Sequence, residues 1–320
     1  MSSLHPVTGP AGNAAAAQAG RDAIEAVRTA VRSVVHGKDA VVELALTAVL
    51  AGGHVLLEDV PGVGKTTLAH SLASALGGTF SRIQFTSDLL PGDITGTNVL
   101  DPQPGQSHRM SFRAGPLFAN VVLADEINRT TPRTQSALFE AMEEGQVTVD
   151  GVCRNLPRPF LVIATQNPYD HHGTYALPDS QLDRFLLRLS MGYPDREAER
   201  AVLRQADRPR VEPVVDPAKV QELRAAVQQV HVAEPLEDYL LDLVRRTRAD
   251  SRLVRGVSTR GAKALYRAAC AHALLEGRSY AVPEDVRRLA PHVLAHRVMA
   301  RHRDGEVDAI TELLDEIPLP

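Results

Sequence analysis

The segment Glu58-Asp59-Val60-Pro61-Gly62-Val63-Gly64-Lys65-Thr66-Thr67 carries the residue types that cradle a polyphosphate. Backbone N–H groups of Gly62, Val63 and Gly64 can face an anion only where no side chain crowds the approach. Lys65 supplies a point charge for the β- and γ-phosphates, and the Thr66 hydroxyl supplies a ligand for Mg²⁺. Asp59 stands where the usual pattern has its first glycine, so the strict expression fails at one position. The apolar run Val55-Leu56-Leu57 precedes the loop, and Leu68, Leu72 and Leu76 follow at helical spacing. Strand, loop and helix in that order predict nucleoside triphosphate binding along the stretch from Asp59 to Thr67.

Two carboxylates follow further along the chain. Val121-Val122-Leu123-Ala124 reads as a strand buried on both faces, and it ends in Asp125-Glu126. Ligands of open α/β sheets sit at that end of the strands. Asp125 is expected to hold Mg²⁺ through its water shell, and Glu126 to act as general base on the attacking water. A third strand, Phe160 to Thr165, ends at Gln166-Asn167, where Asn167 can bond the γ-phosphate or the lytic water. Arg184, in Leu182-Asp183-Arg184-Phe185, precedes a further short strand and suits charge stabilisation in phosphoryl transfer.

Several elements must position these groups. Residues 21 to about 50 show two helical runs, the first with Ile24, Val27, Val31, Val34 and Val35 on one face. Gly52-Gly53 breaks the second run before the first strand. Pro91-Gly92, Gly96, Asp101-Pro102 and Pro104-Gly105 punctuate the next crossover, with Met110 and Phe112 alternating afterwards, which predicts an inserted hairpin. Thr131-Pro132 opens a helix that Gly145 ends. Val147 and Val149 alternate up to Asp150-Gly151, a two-residue hairpin turn, and both hairpins are expected on one side. Tyr193-Pro194-Asp195 ends the sheet domain, and Pro209 to Pro217 reads as a linker. The remainder is almost wholly helical, with stripes at Leu236, Leu240, Leu243, Val244 and at Leu265, Ala268, Ala269, His272, Leu275. His272 is read as a packing histidine, and the pair His171-His172 as no metal site.

These blocks together resemble the MoxR family of AAA+ ATPases. The resemblance rests on residues 57–66, Leu123 to Arg129, Ala164-Thr165-Gln166-Asn167-Pro168, Leu182 to Phe185 and Ser258-Thr259-Arg260-Gly261, in order, and spans roughly residues 21–300. It implies an α/β P-loop AAA+ parallel-sheet sandwich with a helix-2 insert hairpin, followed by a small all-α lid. It makes Lys65 and Thr66 Walker A, Asp125 and Glu126 Walker B, Asn167 sensor 1, Arg184 an arginine finger and Arg260 sensor 2. Relatives often have proline where this chain has Thr259, and whether Arg260 acts in its own subunit or across an interface stays open. The Ala/Gly-rich start, residues 1–20, reads as a flexible tail, followed by a nucleotide-binding domain at 21–208 and a lid at 209–320 with a C-terminal tail. The implied machine is a ring, expected as a hexamer, that hydrolyses ATP to remodel or mature partners with von Willebrand factor A domains. A slow nucleotide-dependent switch remains open, as does a motor subunit of a nucleic-acid or metal-chelatase complex.

Composition narrows the rest. Lys plus Arg total 35 against 39 Asp plus Glu, a net charge of −4 that argues against a whole-surface nucleic-acid footprint. Cys153 and Cys270 lack metal-knuckle spacing and read as reduced, buried small residues. No run approaches the roughly 18 apolar residues that span a bilayer, and residues 1–20 carry no secretory pattern. A cytoplasmic protein is expected.

Overall fold

The computed structural model describes residues 10–101, 109–167, 174–204, 210–302 and 305–320. The residues 102–108, His171-His172 and Pro209 lie outside that range. Helix α1 spans Pro10–Arg32 and α2 spans Asp39–Ala51. Residues 10–20, expected as a flexible tail, are therefore helical. Ala14 to Ala17 supply the reason, since alanine has the highest helix propensity.

Strand β1 (Val55–Glu58) leads through the phosphate loop into α3 (Lys65–Ala75), then β2 (Phe80–Gln84). The short helix α4 (Pro91–Thr95) introduces the hairpin of β3 (Gly96–Asp101) and β4 (Arg109–Ala114). Strand β5 (Val121–Asp125) is followed by a 3₁₀ turn at Ile127–Arg129 and by α5 (Pro132–Glu144). A second hairpin, β6 (Gln146–Val149) and β7 (Val152–Asn155), precedes β8 (Leu161–Gln166). Then come α6 (Asp179–Leu182), β9 (Leu187–Leu189) and α7 (Arg196–Arg204).

The five-stranded sheet has the order β2-β5-β8-β1-β9, with every pairing parallel. Period-two alternation divides its side chains between two layers. Val55, Leu57, Leu123 and Ile163 face a core shared with α1, α2, α3 and the C-terminal helices. Leu56, Val122, Val162 and Ala164 face a second core with Leu138, Phe139 and Phe185. Strands covered on both faces explain the unbroken apolar runs. His54, just before β1, joins two of these elements. Its Nδ1 accepts from the Val162 N–H at 3.0 Å and its Nε2 lies 2.9 Å from the Met142 carbonyl. Burial pushes this imidazole down to about 4, so it is neutral.

Both inserted hairpins form, and they meet. Asn98 donates to Asp150 at 2.6 Å, and the Arg154 guanidinium lies 3.8 Å from the centre of the Phe112 ring.

The C-terminal part consists of α8 (Pro217–Val227), α9 (Glu234–Ala249), β10 (Leu253–Arg255), α10 (Thr259–Leu275), α11 (Pro283–Leu294), β11 (Met299–Ala300) and α12 (Glu306–Glu316). Two features depart from an all-α lid ending in a tail. Strands β10 and β11 pair antiparallel, and α12 buries Ile310, Leu313 and Leu314 where a tail was expected. His272 packs as expected, buried with Nδ1 2.6 Å from Asp285, and Cys270 is buried, whereas Cys153 on the β6–β7 hairpin is exposed. Among the described residues no helix is long and apolar enough to cross a membrane.

Candidate nucleotide site

The carboxyl ends of β1, β5 and β8 converge on one cavity of about 350 Å³. Gly62, Gly64, Lys65, Thr66 and Thr67 line it from the phosphate loop. Gly62 and Gly64 have φ of 87° and 96°, a left-handed geometry that a side chain would strain. A Cβ at Gly62 would meet nothing within 4 Å, so that wall of the cradle is open. Lys65 donates to the Asp59 carbonyl at 2.9 Å. Burial lowers the Lys65 pKa, while the charges of Asp125, Asp59 and Glu126 pull it back up.

Asp59 has a second job that its place in the motif did not suggest. Its buried carboxylate accepts from the backbone N–H groups of Met191 and Gly192, just beyond β9. It fastens the phosphate loop to the adjacent edge of the sheet, where a glycine would offer nothing. Val63 is buried in the core and Val60 packs against it, so these two can serve a ligand only through their backbone.

Asp125, Glu126 and Asn167 line the same cavity, as expected for groups at the ends of β5 and β8. Four further residues hold the acids. The Thr165 hydroxyl donates to Asp125 at 2.6 Å and accepts from the Glu126 N–H at 2.9 Å. Arg82 donates to Asp125 at 2.6 Å, and Gln84 donates to Glu126 at 3.0 Å. Arg129 lies 3.1 Å from the Glu126 carboxylate. Arg82 and Gln84 alternate on β2, so their side chains point to the same face, next to β5. Glu126 itself has φ 58° and ψ 49°, a conformation unusual for a residue with a side chain and one associated with functional sites.

The donor set suits a hard dication. The Thr66 hydroxyl and Asp125 carboxylate are oxygen ligands on one cavity, the kind Mg²⁺ takes together with substrate phosphates.

Arg184 and Arg260 do not line this cavity. They lie together elsewhere: both pair with Glu143, and Arg260 lies 3.5 Å from Asp183 as well. Beneath them the buried Arg297 of the C-terminal part donates to the Asp183 carboxylate at 2.7 Å and to the Phe185 carbonyl at 2.7 Å. Gly261 makes room for this contact, since a Cβ there would come within 2.9 Å of Arg297 Cδ. Ser258 caps the helix that carries Arg260, its hydroxyl accepting from the Gly261 N–H at 3.2 Å. The threonine at 259 therefore leaves the start of α10 intact.

Residues 54–187 match the model of the ATPase family associated with various cellular activities, and residues 245–317 match the AAA lid domain. A Bacillus subtilis protein, YeaC, is 46% identical across 91% of this chain and 92% of its own length. The chaperone MoxR1 of Mycobacterium tuberculosis is 39% identical across 88% of this chain and 76% of its own. A crystal structure of a protein from Cytophaga hutchinsonii assigned as an ATPase superposes with a TM-score of 0.88 at 35% identity, covering 98% of this chain and 100% of that one. Sheet, lid, cavity and relatives agree: the chain belongs to the MoxR family of AAA+ ATPases.

Proposed function

We propose that this protein hydrolyses ATP with Mg²⁺ as a ring, expected as a hexamer, and uses the cycle to remodel or mature partner proteins. The observation that carries this reading is the separation of the charged groups. The phosphate loop and the acids Asp125 and Glu126 share one cavity, whereas Arg184 and Arg260 sit paired outside it. A cation that completes a phosphoryl-transfer site without lining it is best supplied from a neighbouring copy.

In this reading Lys65 and the loop N–H groups bind the phosphates, and Thr66 with Asp125 holds Mg²⁺. When bound there, the ion would offset the negative charge of the phosphates. Glu126 takes the proton of the attacking water, oriented by Asn167. Arg184 stabilises the charge that develops on the neighbour's γ-phosphate, and Arg260 works beside it. Residues 21–208 form the nucleotide-binding body and 209–320 the lid. The name of the relative MoxR1 supports a chaperone-like output, and proteins with von Willebrand factor A domains are the proposed clients.

Pull-down with Glu126→Gln tests the whole reading, because an amide cannot accept the water's proton and the ATP-bound complex should persist. The expected result is bound ATP, no turnover and a nucleotide-dependent protein client. Stimulation of turnover by DNA, with no protein client retained, would favour a nucleic-acid motor instead.

A further inference from the structure

Arg184 and Arg260 come from distant parts of the chain, the lead-in to β9 and the first turn of α10, yet meet on one carboxylate. Glu143 accepts from Arg184 through one oxygen and from Arg260 at 3.2 Å through the other. Two guanidiniums side by side repel, and an anion between them makes the arrangement tolerable. A γ-phosphate would meet the same demand for an anion that Glu143 now meets.

The ion pairs themselves add little stability. Glu143 and Arg260 are exposed, and exposed pairs contribute about 0–1 kcal/mol. What distinguishes Glu143 is its place. It occupies the last turn of α5, which Gly145 closes in a left-handed conformation at φ 62°, and β6 begins at the next residue. The β6–β7 hairpin touches the β3–β4 hairpin through Asn98–Asp150 and Arg154–Phe112. On its other side the arginine pair is framed by the buried Arg297–Asp183 contact. Glu143 is thus the joint between the mounting of both hairpins and the two cations.

We propose that Glu143 is a positioning residue that holds Arg184 and Arg260 as one unit, so that both are presented together to a phosphate on the adjoining subunit. The inference rests on the reading of Arg184 given above. With Glu143 replaced, the guanidiniums separate and the neighbour's site is completed only part of the time.

The test uses the full chain, with Glu143→Ala and Glu143→Gln assayed beside Arg184→Ala. Turnover at saturating ATP should fall on the order of ten- to a hundredfold in both Glu143 variants, the scale for a misplaced catalytic group. KM for ATP should stay within about twofold, because the binding cavity is untouched. Mixing either variant with Lys65→Ala protein should restore turnover, since mixed rings contain interfaces with an intact loop and an intact arginine pair. A purely structural defect would not be rescued in this way. Turnover within about twofold of the parent, or above it, overturns the proposal, as does a loss that mixing leaves unrepaired while thermal unfolding is unchanged. If Arg184→Ala loses turnover and the Glu143 variants do not, only the role of Glu143 falls. If Arg184→Ala itself keeps parental turnover, the shared-site reading falls and this proposal falls with it.

Discussion

Within the cavity each side chain has a separable task, and substitution should separate them. Lys65→Ala should abolish tight ATP binding, because the remaining backbone cradle lacks the charge that pairs with the β- and γ-phosphates. Calorimetry showing affinity within about threefold of the parent would remove Lys65 from that task. Thr165 makes a subtler case. Its hydroxyl is bonded to both Asp125 and the Glu126 N–H, so Thr165→Val keeps the shape and removes both contacts. The cost should be about 1–3 kcal/mol of stability, the penalty for leaving buried polar partners unpaired, together with reduced turnover. Urea unfolding and a steady-state assay on the same preparation check both; a variant unchanged in each would show that the acids need no such anchor.

These residues also mark where a sequence stops being readable. Lys65, Thr66, Asp125, Glu126 and Asn167 stand out because each follows an apolar strand directly, so motif and context lie within a few residues. Arg82, Gln84 and Thr165 carry no local signal. They matter because β2, β5 and β8 lie side by side, which only the sheet order reveals. Asp59 stands out as an irregular glycine position, but its carboxylate's partners, Met191 and Gly192, are far away in the chain.

At the scale of elements, apolar periodicity located most helices, both hairpins and the parallel strands. Composition misleads at the two ends. The alanine-rich start suggests a tail, yet alanines at 14–17 favour a helix. Ile310, Leu313, Leu314 and Ile317 have the amphipathic spacing of a helix, and that pattern outweighs the expectation of a C-terminal tail. The seam beneath the arginines was invisible, since Arg297 reaches Asp183 only through the fold. Gly261 is the sensitive point of that seam. A Cβ there would stand 2.6 Å from Val257 Cγ1 as well as 2.9 Å from Arg297 Cδ. Gly261→Ala should therefore destabilise the protein by about 1–3 kcal/mol through overpacking. A thermal unfolding midpoint equal to that of the parent would show that Arg297 can move aside freely.

The whole molecule carries its own acid sensitivity. His54, buried just before β1, has its pKa lowered from 6.5 to about 4 by burial, and His296 is held well below its usual value by burial and by Arg297. In both cases the folded state favours the neutral ring, so the unfolded chain binds more protons at mildly acidic pH. Stability from His54 is then fully present above about pH 6.5 and is lost as pH falls from there towards 4, a loss of about 3 kcal/mol. Unfolding midpoints measured between pH 7.5 and 4.5 should drop steeply below pH 6.5. The slope should be shallower in His54→Gln, whose amide can still serve one neighbour. A flat profile would contradict the neutral, buried assignment.

The central claim also belongs to the whole assembly: one copy binds ATP and its neighbour supplies Arg184. The most direct test mixes Arg184→Ala with Lys65→Ala protein, each inactive alone, over a range of ratios and follows ATP turnover. Shared sites predict recovered activity that peaks at intermediate ratios, because mixed rings contain interfaces where an intact phosphate loop faces an intact arginine. No recovery at any ratio, with mixed oligomers confirmed by mass, would contradict the shared site and confine Arg184 to its pairing with Glu143.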